Sequence, residues 1–148
     1  MLTNKYILLT ARFSLGIVFV LASIDKIAAP DAFAAAIHSY RLLPDFSVNI
    51  LALIIPWIEL VCGVFLAAGF RVRGSALVST FLLAIFTVAI ISALLRGLAI
   101  DCGCFGRDHS SLVSWWKVIE DVGLAVVGLY LFASGEPEQR EAVPSVLR

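Results

Sequence analysis

The sequence predicts an all-α integral membrane protein, a four-helix bundle with both termini cytoplasmic, and three observations predict it. The first is composition. Of the 148 residues 61% are hydrophobic and 15% charged, and mean hydropathy is +0.99. Soluble domains run at about 45–50% apolar and about 25% charged. The second is that the apolar residues gather into four stretches, each close to the roughly 20 residues that cross about 30 Å of hydrocarbon. Backbone in lipid has no water to bond, so each stretch must close its hydrogen bonds as helix. The third is the distribution of Lys and Arg, taken up below. Net charge is zero, so the basic footprint of a nucleic-acid binder is missing.

The first span covers about residues 6–24. With Met1 to Lys5 ahead of it, it has the outline of a signal peptide. However, Arg12 interrupts the apolar run, the run is long, and Ile24-Asp25-Lys26 is a poor cleavage site, so it is read as a retained helix. A long first loop follows over 25–46, with Pro30, His38, Tyr40 and Pro44. Within it Asp31 to Tyr40 is predicted to form a short helix capped by Asp31. The second span covers about 47–70, and Arg71-Val72-Arg73 makes a tight connection to the third, about 74–95. The third loop, 96–113, leads to a fourth span over about 114–133, the most polar at its start. Residues 1–133 form one membrane domain, and 134–148 a polar tail expected to be poorly ordered.

With the N-terminus inside, the inner side holds Lys5, Arg71, Arg73, Arg140 and Arg148, with Arg12 low in the first span. The outer side holds Lys26, Arg41, Arg96 and Arg107. The excess inside places both termini in the cytoplasm and the first and third loops outside, in a bacterial inner membrane.

Cys102-Gly103-Cys104 lies in the third loop, on the face where disulfides form and persist. Residues two apart in extended chain are separated by about 6.5–7 Å, and a disulfide needs about 4.4–6.8 Å between Cα atoms. The backbone must therefore bend, and Gly103 bends without a Cβ clash. Strained, exposed disulfides are the labile, catalytic kind. Arg107 and Arg96 favour a thiolate here while Asp101 and Asp108 oppose it, and Phe105 can dock the loop on the bundle or meet a partner. Three readings compete. A working dithiol has Cys102 and Cys104 as its catalytic pair. A static clip would gain little from closing so short a loop. A zinc site needs four ligands and only His109 is near, so no metal is expected. Cys62, inside the second span, reads as a small buried hydrophobe.

Charges within spans are costly and turn inward. They are Arg12, Glu59, Lys117, Glu120 and Asp121. Lys117 and Asp121, at i and i+4, can pair on one face, and Arg12 can reach Glu59 or Asp121. One reading makes these contacts that fix helix register. The other has Glu59 or Asp121 carry the protons that thiol oxidation releases. Trp115 and Trp116 read as interface anchors, and Gly16, Gly63, Gly123 and Gly128 suit close helix packing.

Four motifs carry a likeness to a known family: Arg12-x2-Leu15-Gly16-x2-Phe19, Ser23-x2-Lys26-Ile27, Pro56-x2-Glu59-x3-Gly63, and Asp101-Cys102-Gly103-Cys104-Phe105-Gly106. Over about residues 6–133 the chain resembles the MauE family of methylamine-utilisation membrane proteins, within the wider DoxX-like group. The resemblance implies a four-helix inner-membrane protein that supports maturation of a periplasmic disulfide-containing client. In the methylamine system that client is the small (beta) subunit of methylamine dehydrogenase. It also implies a thioredoxin-like periplasmic partner of the MauD kind. Four-helix thiol oxidases use a quinone, which makes a quinone the candidate cofactor, although this chain has one cysteine pair where those enzymes have two. The rival readings are a non-catalytic membrane scaffold or assembly subunit with a clipped loop, and a small transporter built around Arg12, Glu59 and Asp121.

Overall fold

The computed structural model describes residues 2–98, 100 and 114–134. Five helices follow in order: α1 Leu2–Ala28, α2 Pro30–Ser39, α3 Asp45–Ala68, α4 Val72–Leu95 and α5 Trp115–Ser134. No strand occurs among the described residues. Among the described residues three helices are long and apolar enough to cross a membrane: α3, α4 and, within α1, Lys5–Ala28. The fourth expected span, α5, has 20 residues, about 30 Å at 1.5 Å per residue. It carries Lys117, Glu120 and Asp121 in its first two turns, and it does not join the other three by apolarity.

The long first loop is mostly helix. α1 continues to Ala28, only Ala29 separates it from α2, and α3 starts at Asp45. Asp31 does not cap α2. The cap position is Ala29, with no side-chain hydrogen bond, and Pro30 begins the helix. Proline there is pre-set in φ and gives up an N–H that would have no partner. Asp31 lies in the first turn, where its charge still favours the helix N-terminus. The second connection is tighter than expected. Gly69 ends α3 in the left-handed conformation (φ 78), Arg71 is also left-handed, and Val72 and Arg73 already belong to α4.

The helices pack as two antiparallel pairs, α1 on α3 and α4 on α5, with α2 laid on α3. Gly16 and Gly63 let the first pair close. A Cβ on Gly16 would stand 2.9 Å from the Gly63 carbonyl oxygen and 2.9 Å from the Ala67 nitrogen, and one on Gly63 2.9 Å from the Gly16 oxygen. These neighbours are backbone and cannot turn aside. Gly16→Ala or Gly63→Ala is therefore expected to lower stability by about 1–3 kcal/mol through overpacking. Gly74→Ala, facing open space, is expected to be neutral or slightly stabilising. Thermal unfolding of the three variants in one detergent checks this.

Two apolar clusters fill the interior. One holds Leu15, Phe19, Leu66, Leu83 and Leu131, among others. The second holds Tyr40, Ile90, Ala93 and Val118. Along α4 and α5 they leave a gap around Phe86, Thr87 and Asp121. The outward faces are apolar too, with Phe13, Ile17, Leu53, Trp57, Phe81 and Val126 all exposed. That is the surface lipid requires and water does not favour.

Candidate functional site

The gap between the two clusters is polar. Lys26, in the last turn of α1, reaches Glu59 in α3, and its Nζ donates to Oε1 at 2.8 Å and Oε2 at 2.7 Å. Both side chains are buried, at 6% and 5% exposure. Phe33 from α2 and Phe86 from α4 complete the enclosure, with ring centroids 5.1 and 4.9 Å from the ammonium. An ammonium removed from water needs such a set: a carboxylate to balance its charge and ring faces to attract what remains. Four helices thus converge on one cation.

The sequence produces this locally. Leu15, Phe19, Ser23 and Lys26 are all buried, at the i, i+4, i+8, i+11 spacing of one helix face. Extending α1 by one turn past Ile24 turns Lys26 inward rather than into a loop. Its position on that apolar face was the signal that could have found it.

Asp121 enters from α5. It is 7% exposed, and its Oδ2 has no hydrogen-bond partner. Lys117, expected to pair with Asp121, forms its ion pair with Glu120 one position earlier, Nζ to Oε2 at 2.8 Å. A small cavity of about 40 Å³ lies among Lys26, Glu59, Phe86, Lys117, Glu120 and Asp121. Volume and lining together suit one or a few waters.

Tyr40, between α2 and α3, closes the end of this region. It is 6% exposed, and the Arg96 guanidinium donates to its carbonyl oxygen. Burial, then the negative charge of Asp121, push its phenol from 10.0 up to about 12. The sign is that of an acid kept neutral by folding. The contribution to stability is complete below about pH 10 and is lost as pH rises through about 12. An ultraviolet tyrosinate titration is expected to show a step near pH 12 that Tyr40→Phe removes.

Arg12 is not part of this cluster. Its guanidinium lies against Gly69, where a Cβ would meet Nη1 at 2.5 Å. Glu59 is ten residues back along α3, about 15 Å by helix rise, and Lys26 holds it instead. His38 belongs to α2 and pairs with Asp45 at 2.9 Å on the surface. Cys62 is a buried free thiol. Cys102, Gly103, Cys104, Phe105 and Arg107 lie outside the described residues. The chain leaves α4 and re-enters α5 at the end of the bundle that holds Tyr40 and Asp121.

A family model described as methylamine utilisation protein MauE matches residues 4–134. The chain belongs to the MauE family. It is 31% identical over 147 residues to methylamine utilization protein MauE of Paracoccus denitrificans, covering 99% of this chain and 77% of that one. It is 33% identical over 136 residues to the MauE protein of Methylophilus methylotrophus, covering 90% and 71%. For the MauE protein of Methylorubrum extorquens the identity is 32% over 111 residues, covering 74% and 60%. No solved structure matches the chain. The MauE match reaches from the first turn of α1 to the end of α5, so the Lys26–Glu59 pair lies inside the family region.

Proposed function

We propose that the chain is a multi-pass protein of the bacterial inner membrane, with α1, α3, α4 and α5 as four spans and both termini in the cytoplasm. We further propose that it acts in methylamine utilisation as a thiol–disulfide redox partner. The observation that carries this reading is the Cys102-Gly103-Cys104 segment, set within the MauE match between the end of α4 and the start of α5. In support of α5 as the fourth span, it packs along α4 and turns Asp121 to the inside, as a span does with its charge, beside the cavity that Lys26 and Glu59 also line.

The exchange is symmetrical in atoms and electrons. A thiolate from Cys102 or Cys104 attacks the disulfide of a thioredoxin-like periplasmic protein, breaking that S–S bond and forming an intermolecular one. The second cysteine, losing its proton, displaces the partner's remaining sulfur. The chain is left as a disulfide and the partner as a dithiol, with two electrons and two protons transferred. The reverse exchange runs through the same mixed disulfide. Its purpose is maturation of a periplasmic disulfide-containing client, by family likeness the small subunit of methylamine dehydrogenase.

The test is capture of the intermediate. With Cys102→Ser and Cys104→Ser made singly, one of the two is expected to hold a mixed disulfide with a thioredoxin-like protein, seen on non-reducing gels and lost on reduction. Failure of both to trap any such partner, with the client still matured, would leave the non-catalytic scaffold as the better description.

A further inference from the structure

We propose that Asp121 is a proton-binding site, a buried carboxyl that takes up and releases a proton through the cavity beside the Lys26–Glu59 pair.

The inference rests on charge balance around a small, partly open cavity and on the burial of one of its carboxyl groups. Three carboxyl groups, Glu59, Glu120 and Asp121, and two ammonium groups, Lys26 and Lys117, line the cavity. Lys26 gives hydrogen bonds to both oxygens of Glu59, and Lys117 is ion-paired to Glu120. One negative charge remains, on the carboxyl whose Oδ2 is buried without a hydrogen-bond partner. A lone carboxylate removed from water is strongly disfavoured, and such a group commonly takes a proton instead. A protonated Asp121 removes the excess charge, and its O–H can donate to a water in the cavity.

The surroundings suit exchange as well as binding. Facing Asp121 are Lys26 from α1, Glu59 from α3, the Tyr40 phenol from the α2–α3 connection, and Glu120 and Lys117 from α5 itself. α4 faces the cavity with Leu83 and Phe86, neither of which titrates. The fixed ion pair holds the field steady while Asp121 changes charge. Glu120 and Lys117, 41% and 15% exposed, connect the cavity to the outside of the bundle. Using this proton in thiol oxidation, which releases two, rests on the redox reading above, whereas its binding does not.

Infrared difference spectroscopy on the full chain in lipid nanodiscs tests it, in a background with Cys102 and Cys104 both replaced by Ser. A carboxylic-acid C=O band that appears and vanishes with pH is expected, present in Glu120→Gln, absent in Asp121→Asn and restored at a shifted frequency in Asp121→Glu. The Asp121→Glu variant guards against loss of the band through misfolding. A full band in Asp121→Asn would overturn the proposal. So would a band in the unsubstituted site that titrates with sodium at constant pH, which would make the site one for a metal cation. Because the Cys102–Cys104 pair is absent from this experiment, its outcome is separate from that of the redox reading.

Discussion

Lys26→Met is expected to destabilise the solubilised protein by about 3–5 kcal/mol, the cost of leaving a buried charge without its partner. Glu59→Gln is expected to do the same from the other side, leaving the ammonium between Phe33 and Phe86 with rings alone. The pair itself is a different matter, because its mutual attraction is largely offset by the desolvation of two ions. The double variant should therefore recover most of the loss. Thermal unfolding of the unsubstituted protein, both single variants and the double variant makes the cycle, and a coupling far above experimental error is the expected sign. Additive losses would mean that the two groups do not act on each other. Four helices meet at Lys26, so the single variants are also expected to loosen α2, which is held there through Phe33.

Cys102→Ser and Cys104→Ser are each expected to abolish client maturation while leaving the bundle folded. Thiol–disulfide exchange needs one sulfur to form the mixed disulfide and another to resolve it, so either loss should equal the loss of both. The stability of the bundle should hardly change, because closing a three-residue loop withdraws little entropy from the unfolded chain. Comparing helical content and unfolding temperature with client maturation in the same strains separates the two effects. Normal maturation in both variants would remove the dithiol from the function.

The long apolar helices were legible because crossing lipid would impose a length and a composition, and α3, α4 and most of α1 fall within a turn of where hydropathy puts them. The short helix α2 was legible too, but not its start. A proline at the first helical position outweighed the aspartate one residue later. The charged residues in the spans were easy to find and hard to pair. Glu59 takes Lys26 because α1 runs one turn past its apolar stretch and carries that lysine onto the buried face, while Arg12 is left at the far end of α3 beside Gly69. Lys117 makes a 2.8 Å ion pair with Glu120 while its charge also acts on Asp121, because i+3 and i+4 are both within reach on a helix, so spacing alone does not decide which contact is direct. Pairing is set by which helices cross where, and Gly16 against Gly63 fixes that for α1 and α3. The cysteine pair remains a reading of the sequence and of family membership.

The most direct measurement is the redox titration of Cys102 and Cys104 in native membranes, by thiol alkylation and mass spectrometry across a dithiothreitol or glutathione series. A working dithiol should pass from oxidised to reduced within the range of thioredoxin-like proteins, about −120 to −270 mV, with both cysteines changing together. A pair that stays oxidised to well below about −300 mV, or one that is never oxidised, would contradict thiol–disulfide exchange as the work of this chain.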